Sequence, residues 1–236
     1  MNFAELSYRS PVDGRIDRYY CCDRGAGSDL LVYLHGHGSG GDQLLTRPDI
    51  AARLPLIDSL DLSVISPDLR GNAWMNPAAA ADLAWLLRRE RAARGWRRTL
   101  LLAGSMGGTG ALIFAMLHPG LVDRAAVLGA ATSLGRYAEW CRNRNEPAVL
   151  AEIRAAILTA YPDPADLRRH DVSLHAGRLT MPVRLIHAAG DPIIPVDEAR
   201  DLAARCCPKF KYTELASDSH DAPLDFFAEA LKEMVQ

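Results

Sequence analysis

Two stretches of this chain, Leu30-Leu31-Val32-Tyr33-Leu34 and Leu100-Leu101-Leu102, are apolar at every position. A strand wetted on one side alternates apolar and polar residues; a run without alternation needs cover on both faces, the condition of strands in a mostly parallel sheet. Strand-like runs recur at 15–22, 29–35, 62–67, 99–104, 125–130, 182–187 and 211–215, with helix-forming stretches at 77–94, 107–118, 195–206 and 223–234. Alternating strands and helices predict an α/β fold. The opening segment departs from the rhythm: two candidate strands meet at Pro11-Val12-Asp13-Gly14 with no helix between them. That turn signal predicts an antiparallel hairpin at one edge of the sheet.

The rhythm breaks again over 132–181, which is rich in Arg, Ala and Glu, carries a helix-like run at 148–160 and then Pro162 and Pro164. It is too long for an ordinary connection and is read as a small helical, cap-like insertion within a single domain spanning 1–236. With 49% hydrophobic and 24% charged residues, the chain can build a substantial core. A formal net charge of -2 supplies no positive field for nucleic acid or an anionic membrane, so neither is expected as a partner. The one basic cluster, Arg88, Arg89, Arg91, Arg94, Arg97 and Arg98, surrounds the end of a predicted helix, where cations complement the dipole. The first seven residues have neither a basic start nor an apolar h-region, which with the lack of any spanning stretch points to the cytoplasm. Five cysteines, two pairs of them adjacent, suit reduced thiols, and no spacing suggests a metal site.

One junction carries chemistry. The apolar run 100–102 continues through Ala103-Gly104 to Ser105, followed by Met106-Gly107-Gly108 and a helix-like stretch. A serine lifted off a strand end takes a strained positive φ while strand and helix close around it, so its neighbours must be small. Ser105 is therefore a candidate nucleophile; the alternative is that it caps the next helix and the glycines form an ordinary loop. A nucleophilic serine requires a base, an acid to orient that base and amide donors for the oxyanion, all at strand ends on one edge of the sheet.

Asp191 follows the strand-like run 183–187 on a glycine-containing turn and is the candidate acid; Asp197, at the start of the next helix, better fits a dipole role. His220 lies in the polar loop between the last strand and the last helix and is the candidate base, since an unperturbed imidazole titrates near neutral pH. His118, His170, His175 and His187 have simpler structural readings, in helix, insertion and strand. The amide of Met106 and one from Leu34-His35-Gly36-His37-Gly38-Ser39-Gly40-Gly41 are the candidate oxyanion donors, with His37 preferred and Gly38 the other register. That glycine loop lacks the Lys and Ser/Thr of a phosphate-binding loop. Trp74, Tyr137 and Trp140 either line a pocket or pack the insertion onto the core.

The order Ser105, Asp191, His220 is that of the α/β-hydrolases. With the His35-Gly36 loop, Pro67-Asp68-Leu69-Arg70-Gly71, Met181-Pro182 and Gly190-Asp191, nearly the whole chain resembles that superfamily, in particular its compact serine esterases and prolyl-oligopeptidase-like members. Ala103 stands where the G-x-S-x-G pattern has its first glycine, and the insertion matches no substrate-defined subfamily. The resemblance implies an eight-stranded, mostly parallel sheet with helices on both faces, and a cofactor-free Ser-His-Asp mechanism on a small-molecule carboxylic ester. Thioesterase and small peptidase are the rival activities, and a non-catalytic binding protein is the rival class.

Overall fold

The computed structural model describes residues 1–144 and 146–236, so residue 145 of the insertion lies outside the described residues. Eight strands run in chain order as β1 (Ala4–Arg9), β2 (Ile16–Cys22), β3 (Leu30–Leu34), β4 (Ser63–Pro67), β5 (Thr99–Gly104), β6 (Arg124–Leu128), β7 (Val183–Ala188) and β8 (Phe210–Leu215). The helices are α1 (Gln43–Thr46), α2 (Pro48–Ala51), α3 (Leu54–Ser59), α4 (Pro77–Arg94), α5 (Ser105–Leu117), α6 (Leu134–Arg142), α7 (Val149–Ala160), α8 (Pro164–Arg169), α9 (Val196–Ala203) and α10 (Phe227–Val235).

The strands form one sheet in the order β1-β2-β4-β3-β5-β6-β7-β8. The opening hairpin pairs antiparallel, β2 meets β4 antiparallel, and β4 through β8 are parallel to one another. The unbroken apolar runs are explained by the two faces. Leu30, Val32, Leu34, Leu101 and Ala103 face one core with α4 and α5, while Leu31, Tyr33, Leu100 and Leu102 face the other with Ile50, Ile57, Phe227 and Leu231. Because side chains alternate sides with a period of two, every position of a doubly covered strand is buried.

Local signals set the element ends. α4 starts where the Asn76 side chain accepts the Ala79 amide at 2.9 Å and stops at Gly95, left-handed with φ +70°. In its last turn Arg94 is engaged by Glu90 and Asp23, and nearby Arg98 by Asp29. The expected strand 125–130 ends sooner, at Leu128, because Gly129 turns the chain with φ +75°. The expected helix 223–234 opens as a 3₁₀ turn over Ala222–Phe226, which Pro223 at its start favours, and becomes α-helical from Phe227.

The insertion contributes α6, α7 and α8. Its buried Tyr137 donates to the Ile193 carbonyl at 2.9 Å, and its buried Tyr161 hydroxyl lies 2.9 Å from the carbonyls of both Trp74 and Met75. The segment is thereby stitched to the loops that follow β7 and β4. No helix of the described residues is long and apolar enough to cross a membrane.

Candidate active site

β5 delivers Ser105 at the carboxyl edge of the sheet, and α5 begins at Ser105 itself, two residues earlier than its composition suggests. The serine has φ +56°, a conformation costing a non-glycine residue about 1–3 kcal/mol unless its surroundings impose it. They do. The Ser105 amide donates to the Gly129 carbonyl at 2.8 Å, and α5 passes so close to β3 that a Cβ on Gly107 would overlap the Leu34 carbonyl oxygen. On the other flank a Cβ on Gly108 would fall 2.7 Å from the Gly129 oxygen. Ala103 is no obstacle, since its methyl points into the core on the α4–α5 side.

Asp191 and His220 reach the serine from the loops after β7 and β8. His220 Nε2 lies 3.0 Å from Ser105 Oγ, and His220 Nδ1 lies 2.7 Å from Asp191 Oδ2. The second carboxylate oxygen accepts the amides of Ile193 at 2.8 Å and Ile194 at 3.0 Å, so the acid cannot swing away from the imidazole. The His220 loop crosses Gly190 closely enough that a side chain there would strike Asp218. Burial on its own would push the Asp191 carboxyl up, but hydrogen bonds from His187 and His220 and the Ile194 amide outweigh it and hold the group well below the usual carboxylate range. His187 is the residue the sequence reading passed over. From β7 its Nε2 lies 3.1 Å from the Ile194 carbonyl and 3.3 Å from Asp191 Oδ2, and the side chain is fully buried.

The loop after β3 is knitted from within. Gln43 Oε1 accepts the Gly36 amide and the Tyr33 hydroxyl, both at 3.0 Å, while its Nε2 donates to Ser39 Oγ at 2.9 Å. The Gly38 amide donates to Asn72 Oδ1 at 2.8 Å. Between these two committed donors the His37 amide bonds to no group of the described residues, and Met106 sits in the first turn of α5, where amides have no intrahelical partner. Burial pushes the His37 imidazole below its ordinary value, against a smaller opposing effect of Glu152.

The aromatic residues of the sequence reading resolve as packing for the most part. Trp74 and Tyr137 are buried and their rings pack tilted with centroids 5.8 Å apart, with Trp140 next in line at 6.1 Å from Tyr137. Asp197 lies in the first turn of α9 and pairs with Arg200, away from His220. Its neighbour Glu198 accepts the amides of Thr132 and Ser133 at 2.8 and 3.0 Å and so anchors the start of the insertion. Among the described residues no group of three or more His, Cys, Asp or Glu is arranged to hold a metal ion.

The family model of the alpha/beta hydrolase fold matches residues 29–163, more than half of the chain, and the protein belongs to that family. The curated proteins contain no match. Among solved structures, an esterase of Pyrococcus furiosus superposes with a TM-score of 0.72 at 14% identity, covering 99% of this chain and 90% of that one. Est1E from Butyrivibrio proteoclasticus gives 0.70 at 13% identity, covering 97% and 96%. A cold-adapted esterase from an Arctic intertidal metagenomic library gives 0.68 at 16% identity, covering 98% and 92%. At these identities the likeness is one of fold.

Proposed function

We propose that the protein is a serine hydrolase that cleaves carboxylic esters through an acyl-enzyme intermediate. The observation that carries this reading is the continuous relay of 3.0 Å from Ser105 Oγ to His220 Nε2 and 2.7 Å from His220 Nδ1 to Asp191 Oδ2. Ser105 Oγ attacks the carbonyl carbon as His220 takes its proton, and Asp191 orients the imidazole and stabilises its charged form. The amides of Met106 and His37 receive the oxyanion; the engagement of the Gly38 amide by Asn72 supports His37 over the neighbouring register. His220 then protonates the departing alcohol; water, giving its proton to His220, attacks the acyl carbon, and the acid leaves as His220 returns that proton to Ser105 Oγ. No cofactor takes part.

The reading extends to organisation: a single domain over 1–236, with 132–181 as a cap, acting on a small-molecule ester in the cytoplasm with neither nucleic acid nor membrane as partner. Five free cysteines agree with a reducing compartment. The three structural neighbours described above are esterases, which favours ester over thioester or amide substrates. The experiment is turnover of a panel of p-nitrophenyl esters, acyl-thioesters and aminoacyl amides, with fluorophosphonate labelling of wild type, Ser105→Ala and His220→Ala. Ester turnover, with labelling lost in both variants and kcat down by about 10⁶-fold, is expected. Turnover of amides alone overturns the ester reading, and labelling undiminished in Ser105→Ala overturns the nucleophile.

A further inference from the structure

A cavity of about 40 Å³ lies against Ser105 and His220. Its floor is apolar and belongs to the core: Leu102, Leu128, Ile50 and Phe227 are all buried. Tyr33 and Gln43 close one side, but their polar groups are spent on each other and on Gly36 and Ser39. The cavity therefore offers a substrate apolar contact and little hydrogen bonding. Its remaining wall is charged. Arg47, gripped by Asp49 through bonds of 2.8 and 2.9 Å, reaches across to Asp221 at 3.2 Å, beside the candidate base. Their side chains are 37% and 62% exposed, so this pair stands where the cavity meets solvent.

We propose that the Arg47–Asp221 pair closes the cavity beside Ser105 into a blind acyl pocket and restricts the enzyme to esters of short, unbranched, apolar acids. The inference rests on Ser105 being the acyl acceptor. A blind cavity suits the acyl side, because the acyl group stays on Ser105 through both half-reactions whereas the alcohol must leave before water enters. Size sets the limit: an apolar cavity of about 150 Å³ holds the six carbons of benzene, so one near a quarter of that has room for only about one or two carbons beyond the carbonyl. A longer chain must part the ion pair or lie along charged groups, where its methylenes lose the burial worth having.

The test measures kcat/KM for p-nitrophenyl acetate, butyrate, hexanoate and octanoate with wild type, Arg47→Ala and Asp221→Ala, beside a series of alkyl acetates of growing alcohol chain. Wild type is expected to lose at least about tenfold between acetate and octanoate, and both variants to raise the octanoate-to-acetate ratio at least about fivefold, the scale on which a pocket discriminates methylenes. A flat acyl profile in wild type, or chain-length discrimination confined to the alcohol series, overturns the proposal. So does an equal fall for every ester in both variants, which would make the pair only a tether for the His220 loop. Those outcomes leave ester hydrolysis standing. Failure of the underlying reading looks different: no ester is turned over and Ser105 takes no fluorophosphonate.

Discussion

Asp191 sits between two imidazoles, His220 at 2.7 Å and His187 at 3.3 Å. Only His220 can also touch the serine, so His187 acts on the reaction by holding the acid. Replacing it with leucine removes the imidazole packed 3.3 Å from a fully buried carboxylate together with its bond to the Ile194 carbonyl, and kcat is expected to fall about ten- to a hundredfold with KM nearly unchanged. His187→Gln, which restores a side-chain N–H at similar reach, should recover most of the loss; steady-state kinetics on both variants checks this. The same carboxylate contributes to acid stability. A carboxyl whose folded value lies below its unfolded value near 3.9 stabilises the fold above that pH and loses the contribution as pH falls through the folded value. Asp191→Asn should therefore cost stability fully from about pH 5 upward and progressively less below about pH 4, as urea unfolding across that range would register.

At the scale of elements, the loop after β4 concentrates strain. Leu69, Arg70, Trp74 and Met75 have φ of 43°, 65°, 48° and 54°. Such residues persist only where the surroundings over-determine them. The Arg70 guanidinium donates to Asp82 at 2.7 Å and Asp13 at 2.8 Å, its amide bonds Asp17 at 2.8 Å, and Tyr161 caps the carbonyls at the far end. What the loop presents is Asn72, whose side chain holds the Gly38 amide beside the free His37 amide. Asn72→Ala frees the loop after β3 that carries the proposed oxyanion donor, and kcat should fall about tenfold or more while Ser105 still accepts a fluorophosphonate. Loss of labelling in that variant would mean that Asn72 supports the fold of the whole site instead.

At the scale of the molecule, the insertion and the sheet share the site between them. Tyr161 reaches the loop after β4 and Tyr137 the loop after β7, which carries Asp191. Tyr161→Phe removes the one hydroxyl proton shared between the Trp74 and Met75 carbonyls, the second of which also has His170 Nδ1 at 3.1 Å, so a stability loss of about 1–3 kcal/mol is expected from denaturant unfolding, with a lower kcat as the strained loop relaxes. Much of this architecture was legible in the chain. Unbroken apolar runs demand cover on both faces, and the helix-forming stretches between them supply it, so the parallel sheet follows from local composition. The hairpin at 11–14 and the order Ser105, Asp191, His220 were legible for a similar reason, since turns and strand ends are marked by residues adjacent in sequence. His187 was not, because a histidine inside a strand gives no sign of which carboxylate the next turn will bring to its ring. Nor were the pairing of Arg47 with Asp221, 174 residues away, or the engagement of Gly38 by Asn72 across 34 residues. The amino-acid sequence by itself determined the α/β class, the serine turn and the candidates at successive strand ends, all properties of short segments. Only the tertiary structure decided which amides stay free, which imidazole steadies the acid and what closes the cavity, because those depend on distances between segments that sequence spacing does not constrain.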